Sequence, residues 1–284
     1  MKTEVDVLII GHGVAGMIAN YFFSEYFPRL QTEVIEAGIE RKQSSPGVSF
    51  YLDRIISPRL TGPMITVKNR IVTDRVRSDA SKNYSLKIYG EVINKVSIKD
   101  TDNQAYKLNW IQQNNITFDE NVSAIDLKNK TVRTNSKEYI YQILISTIPL
   151  SAFLKLAGFS TKLCFWFRPI YVTKHVMDVS DYIKDETEIA IWNFPDPEET
   201  HYRSTFQIID RQGYRFDESL SSPMDPDTRI IYPGKIKTID FDTTMFETQG
   251  CFLVGRYANW KNKYLASDAW SKMEESFRGF ETDY

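Results

Sequence analysis

Two rhythms of apolar spacing run along this chain, and each change of rhythm marks an element. Val5-Asp6-Val7-Leu8-Ile9-Ile10 is a short, β-branched apolar run that predicts a buried parallel strand. From Met17 to Phe23 the apolar positions fall at helical spacing without a proline, and Thr32-Glu33-Val34-Ile35 predicts a second strand closing on Glu36. The rhythm then stops. Ala37 to Ser49 is rich in Gly, Ser, Lys and Gln, contains Pro46-Gly47 and predicts a loop, which the basic stretch Phe50 to Arg77 is expected to extend. Tyr84 to Tyr89, then Val92-Ile93, alternates as one or two strands would, and Ala105 to Gln113 predicts a short helix carrying Leu108, Trp110 and Ile111.

Further on, Ile116 to Asp119, Ala124 to Leu127 and Thr131 to Thr134 predict a small meander that leads into a buried strand, Tyr139 to Ile145. Ser146-Thr147-Ile148-Pro149 ends that strand, and a helix is expected from Leu150 to Leu156. Cys164 to Ile239 changes character. Its aromatic-rich runs (165–167, 171–173, 189–192 and 202–209), with turns at 193–197 and Ser221 to Asp227, predict an antiparallel sheet. Gly250 to Val254 restores a buried strand before a glycine turn, and a helix follows near Ala266, with Ser267 or Asp268 suited to its N-cap. A strand-turn-helix near each end of the chain implies one domain built from both ends, with another inserted between them.

A chain of 284 residues with 42% apolar and 25% charged positions has the composition of an ordinary globular protein with a sizeable core. Its 35 basic and 37 acidic residues, net −2, argue against a general nucleic-acid coat. No apolar run approaches the ~20 residues that span a bilayer, so no membrane association is expected. The first strand starts too near the N-terminus to leave room for a signal peptide, and two widely separated cysteines, Cys164 and Cys251, suggest no disulfide framework. A reduced, cytoplasmic setting is expected.

The chemistry lies between the first strand and the first helix. In Gly11-His12-Gly13-Val14-Ala15-Gly16 the first glycine permits a tight turn, the second lets backbone approach a pyrophosphate, and the third lets helix pack on strand. Unpaired N–H groups and the positive dipole end at the helix N-terminus attract phosphate oxygens. Glu36 is placed to accept hydrogen bonds from an adenosine ribose. Strand, fingerprint, helix, strand and acid in register are the context that makes such a glycine pattern a dinucleotide site. His12 sits at a variable position and reads as a loop histidine, while His175 and His201 have no recognisable partner and no general base is identified. Arg54, Arg59, Lys68, Arg70, Arg75 and Arg77 either hold phosphate oxygens or pair with acids such as Asp53, Asp74 and Asp79 on a solvated loop. On the substrate side Arg203 is suited to a carboxylate or phosphate, or else pairs with a neighbouring acid. Tyr202, Tyr232 and Tyr257 line the pocket or pack in the core.

Four segments together resemble a known group. Gly11 to Gly16 with Glu36 looks like the ADP-binding site of FAD flavoproteins of the glutathione-reductase-like class. Ile145 to Leu150 resembles the strand and turn that protoporphyrinogen-oxidase-like and amine-oxidase-like members place near the cofactor. Gly255-Arg256-Tyr257-Ala258-Asn259-Trp260, leading to Asp268-Ala269, is similar to the C-terminal flavin motif of that group and of UDP-galactopyranose mutases, and Phe194 to Pro197 with Tyr202 to Thr205 resembles their substrate-domain arginine segment. The resemblance implies FAD, with Gly11, Gly13, Val14, Ala15, Gly16, Glu36 and Ala37 at the N-terminal turn and Gly255, Arg256, Ala258 and Asn259 at the C-terminal one. It also implies substrate contacts at Tyr202, Arg203 and Tyr257. Two departures stand out: Ala37 to Lys42 replaces the group's Gly-Gly-Arg segment, leaving Arg41 or Lys42 to substitute for it, and Pro46 to Leu52 lacks the mutases' histidine loop.

The expected fold is therefore α/β, a Rossmann-like FAD-binding domain (1–65, 115–160 and 248–284) with an inserted antiparallel α+β substrate domain (66–114 and 161–247). Three functions follow: an FAD-dependent oxidoreductase acting on an amine or similar small substrate, a non-redox mutase-like flavoenzyme acting on a nucleotide sugar, or a non-catalytic relative that serves a partner.

Overall fold

The computed structural model describes residues 1–38, 51–93, 96–223 and 225–278. The chain opens with strand β1 (Lys2–Ile10), helix α1 (Val14–Tyr26) and β2 (Thr32–Ile35), as the apolar rhythm predicts. β3 (Tyr51–Leu52) and β4 (Thr61–Ile71) follow, then α2 (Ala80–Tyr89) and β5 (Thr101–Leu108). β6 (Ile116–Thr117), β7 (Val122–Asp126), β8 (Thr131–Thr134), β9 (Glu138–Ser146) and α3 (Leu150–Leu156) come next. The middle holds β10 (Phe167–Val176), β11 (Glu188–Asn193), β12 (His201–Ile209), β13 (Gln212–Ser219) and β14 (Thr228–Ile236). Helix α4 (Thr244–Glu247), β15 (Cys251–Leu253) and α5 (Ala266–Phe277) close the described chain.

The strands form two sheets. The first runs β6-β2-β1-β9-β8-β7, and β15 also pairs with β9. β1 covers one edge of β9 along its length, so β8 and β15 share the other edge: β8 pairs antiparallel with residues 138–140 and β15 parallel with residues 144–146. Both faces of β1 are covered, Val7 and Ile9 packing with the helices and Leu8 and Ile10 in the opposite core, which explains its unbroken apolar run. On the helical side α1 and α5 meet through Phe22, Phe23, Trp270 and Phe277, with Phe22–Trp270 and Phe23–Phe277 centroids 5.3 and 5.0 Å apart. Each such ring, buried, contributes about 1.5–3 kcal/mol relative to exposure.

The second sheet runs β14-β10-β13-β12-β11-β4-β5-β3. It is antiparallel as expected, except that β11 and β4 pair in parallel. β4 runs across the boundary expected between residues 65 and 66 and, with β3, belongs to this sheet. Three local expectations are corrected. Residues 61–71 form a strand, not a loop, since Ile65 and Val67 alternate into a small core with Ile189 and Ile191. Residues 80–89 form a helix, not a strand: Ala80, Tyr84 and Ile88 fall on one buried face, and Gly90 (φ +73°) closes the helix by donating to Leu86 O. Residues 101–108 form a strand in place of the expected helix, because Met64 to Asn69 of β4 supplies an antiparallel partner. Helix α2 packs Tyr84 and Ile88 against Ile170, Val172, Tyr202 and Phe216 of the second sheet. Arg168 caps its C-terminal end by donating to the carbonyls of Lys87 and Ile88 at 3.3 and 3.1 Å.

Candidate functional site

The glycine turn is built as three different constraints. Gly11 takes φ +92°, and a Cβ there would lie 2.5 Å from Thr147 Oγ1. Thr147 donates to Ile10 O at 2.9 Å, so the end of β9 seals the end of β1. A Cβ on Gly16 would lie 2.0 Å from Gly11 O, so α1 approaches the turn as closely as backbone allows. Gly13 is the opposite case, exposed and with nothing within 4 Å of a Cβ. It is the N-cap of α1, which has neither a side-chain cap nor an acid in its first turn. The first N–H groups of the helix therefore face the open space beyond Gly13, half-buried Val14 and Ala15, as a phosphate site requires.

Glu36 stands at the end of β2. Its Oε2 accepts the backbone N–H of His12 at 2.7 Å and its Oε1 that of Gly38 at 2.9 Å. A carboxylate offers about four lone-pair sites, so acceptor capacity remains for ribose hydroxyls. Ala37 is exposed beside it. Arg41 and Lys42, the expected substitutes for the Gly-Gly-Arg segment, lie outside the described residues, as does most of the stretch from Pro46 to Leu52. His12 lies in the loop of the turn, as expected, and is buried there: it is 5% exposed, with Nε2 3.0 Å from Gln113 Oε1.

The C-terminal turn closes on the N-terminal one. Gly255 takes φ +103°, and a Cβ on it would lie 2.7 Å from Ala15 Cβ, so residues 15 and 255 touch. Asn259 is buried, and its amide donates to the carbonyls of Leu253 and Gly255 at 2.9 and 3.0 Å. Its side chain therefore shapes the turn from within, and Ala258 is fully buried behind it. Arg256 is half-buried, its guanidinium 5.5 Å from the Tyr257 ring, and its Nε has no hydrogen-bond partner. Helix α5 begins after Leu265, which takes the N-cap in place of Ser267 or Asp268; Asp268 instead accepts the Leu265 N–H at 2.7 Å from the helix's third position.

The turn also joins the second sheet, since the Tyr257 hydroxyl donates to Gly234 O at 3.0 Å. Next to Gly234 lies Lys235, its Nζ 4.7 Å from the Tyr202 ring centroid. Arg203 pairs with Glu218 across β12 and β13: Nε donates to Oε1 at 2.7 Å, Nη2 donates to the same oxygen, and the Tyr202 hydroxyl donates to Oε2. Tyr202 is thus wholly buried behind Arg203 rather than on the pocket wall. Burial opposes the Glu218 charge, but Arg203 and Lys235 outweigh it and hold its pKa below the usual carboxylate range. Burial also works against Arg203, and Glu218 keeps it charged. Lys235 has no such compensation. Burial, then the Arg203 charge, and further Arg256, lower its amine to about 7 against the pull of Glu218. Neither Lys235 nor the paired acid was legible as a site, because the register that brings residues 203, 218 and 235 together has no local signal.

The remaining candidates are placed elsewhere. All six basic residues between 54 and 77 pair with acids: Arg54 with Asp53 and Asp268, Arg59 with Glu25, Lys68 with Glu188, Arg70 with Asp102, Arg75 with Asp196 and Glu198, and Arg77 with Asp100. His175 contacts Asp217 at 3.2 Å, and His201 packs its ring on Phe194 while burial lowers its pKa. Tyr232 is 67% exposed against Phe167 on the edge of the second sheet. A recess of about 630 Å³ lined by Asp240, Asp242, Glu247, Asp268 and Glu275, among others, carries the wrong charge for a pyrophosphate. Among the described residues no helix is long and apolar enough to cross a membrane.

No protein-family model matches this sequence, and no curated protein sequence does either. Solved structures do match in fold. A reduced UDP-galactopyranose mutase aligns over 98% of this chain and 96% of its own, with a TM-score of 0.67 at 11% identity. A probable FAD-dependent monooxygenase from Pseudomonas aeruginosa aligns over 98% and 88%, TM-score 0.53, at 11% identity. A geranylgeranyl bacteriochlorophyll reductase-like protein from Thermoplasma acidophilum covers 97% and 78%, TM-score 0.54, at 13% identity. The fold is the α/β fold of FAD-binding flavoproteins.

Proposed function

We propose that this chain binds FAD and is an FAD-dependent oxidoreductase acting on a small organic substrate. One observation carries the reading. Gly11, Gly16 and Gly255 are each packed where no side chain fits, whereas Gly13 faces open space. A fold that needed only tight packing would have no use for the glycine at 13. The turn would hold the pyrophosphate on the N–H groups after Gly13, Glu36 the ribose, and the backbone at Gly255 the far end of the cofactor. FAD, when bound, supplies the electron-transfer chemistry, and the protein supplies position, charge and exclusion of water.

The charges near Arg256 bear on the substrate. Arg203 and Lys235 act on the acid Glu218, and Arg203 and Arg256 both act on Lys235, an environment that opposes an ammonium group and so disfavours the amine expected from the sequence. The same charges, with the near full-length match to a mutase, favour a second reading: non-redox chemistry on a nucleotide sugar. The visible spectrum of the purified protein, before and after anaerobic dithionite, with the released cofactor identified, is the test. FAD bands that bleach and return in air support the first reading, and turnover of a nucleotide sugar only by the reduced protein supports the second. A colourless protein that takes up no added FAD overturns both and leaves a non-catalytic role.

A further inference from the structure

The second sheet and the C-terminal turn together hold two cations that form no salt bridge among the described residues. Arg203, the arginine suited by sequence to a substrate, is held at Nε and Nη2 by Glu218, and the other oxygen of that carboxylate is held by Tyr202. Among the described residues the Lys235 amine has no hydrogen bond or ion pair; its Nζ lies 4.7 Å from the Tyr202 ring centroid, with Glu218 near enough for its charge to act on it. Among the described residues the guanidinium of Arg256 likewise pairs with no acid, and its Nε is buried without a partner. The hydrogen bond from Tyr257 to Gly234 holds the residues next to each of them together, so the two side chains belong to one place where the sheets meet. Buried charges are ordinarily paired. Two half-buried cations without one, a hydrogen-bonded step from the dinucleotide turn, mark a place for an anion brought from outside.

We infer that Lys235 and Arg256 form an oxyanion site for the phosphate or carboxylate of the substrate, with Arg203 and Glu218 acting as the positioning pair behind it. The inference rests on the FAD reading only in naming the ligand a substrate. Arg256 supplies a planar fork and Lys235 a mobile point charge, a combination that accepts a tetrahedral or a planar oxyanion. The low amine pKa sharpens the site, because an arriving anion removes the reason for Lys235 to lose its proton.

The test is competitive acetylation by trace acetic anhydride at pH 8, with Lys235 read by peptide mass spectrometry. Inorganic phosphate is the titrant and methylammonium the control cation, and the protein is used with and without FAD. With its amine mostly neutral, Lys235 should outpace an ordinary exposed lysine, for which under 1% is neutral at this pH, by on the order of tenfold per accessible amine once its lower basicity is set against its larger neutral fraction. Phosphate should protect it at least tenfold in the FAD-loaded protein, methylammonium should not, and Arg256→Gln should weaken the protection at least tenfold. Lack of protection in FAD-loaded protein overturns the inference and leaves the cofactor reading intact. Protection seen only without FAD also overturns it, since Arg256 then serves the cofactor. Protection in a protein that never takes FAD supports the site and refutes the cofactor reading. The wild-type titration decides the matter even if Arg256→Gln does not fold.

Discussion

Replacing Gly255 by alanine isolates the contact that closes the cofactor site across the chain. The backbone there has φ +103°, beyond the left-handed well that side chains tolerate, which costs about 1–3 kcal/mol. The new Cβ would also stand 2.7 Å from Ala15 Cβ, roughly 1 Å inside normal carbon contact, and overpacking of that kind costs about 1–3 kcal/mol more. Gly255→Ala should therefore destabilise the protein by about 2–6 kcal/mol. Ala15→Gly removes the second cost but not the first, and alone it should cost about 0.5–1 kcal/mol at most as a helix glycine. The double variant should thus be more stable than the sum of the singles by about 1–3 kcal/mol. Urea unfolding of all four proteins, with the slope checked for constancy, measures this, and retained FAD in each provides a second reading. A coupling below about 0.5 kcal/mol, the range of independent sites, would show that residues 15 and 255 do not touch.

Two further outcomes follow. Gly13→Asp should abolish FAD binding while changing urea stability by under about 1 kcal/mol, since its Cβ meets nothing and only a phosphate would oppose the carboxylate; full FAD occupancy in that variant would displace the site from this turn. Lys235→Met tests the sign of a half-buried amine faced by Arg203 and Tyr202 from β12, Glu218 from β13 and Arg256 from the C-terminal turn. The folded-state pKa of about 7 lies below the ordinary lysine value, so the unfolded chain binds the extra proton between them and the wild type gains stability as pH rises through that window. Allowing for screening of a half-buried group, the wild type should gain about 1–2 kcal/mol on Lys235→Met between pH 6.5 and 9.5. Equal differences at the two pH values would refute the assignment.

The N-terminal βαβ unit was legible because everything that defines it is local: strand, glycines, helix, strand and acid follow one another within Val5 to Glu36. The final strand and its turn were legible for the same reason. Helix α2 was not, since Tyr84-Ser85-Leu86-Lys87-Ile88-Tyr89 satisfies a period of two as well as its true Ala80, Tyr84, Ile88 stripe, and packing on the second sheet chose between them. β4 hid behind its charges, whose acids lie far off in sequence, such as Glu188 for Lys68. The substrate side depended most on register. Whether Arg203 was free or paired turned on Glu218, in a strand whose polar sequence Gln212 to Ser219 signalled nothing, and Lys235 gained its setting only when β14 met the Tyr257 turn.

The shared edge of β9 has a consequence for the order in which the protein comes into being. The turn at Gly11 to Gly16 leaves the ribosome early, yet the strand that completes β9 and the glycine that touches Ala15 arrive roughly 240 residues later. At about 5–20 residues per second, roughly 10–50 s of synthesis separate the two halves of one binding site. During that interval the second sheet is emerging, and the outer edge of β9 beside residues 144–146 stays unpaired. A nascent chain of this protein can display the dinucleotide signature long before it can retain a dinucleotide. Cofactor capture is therefore a late event, and it reports that the two turns have met.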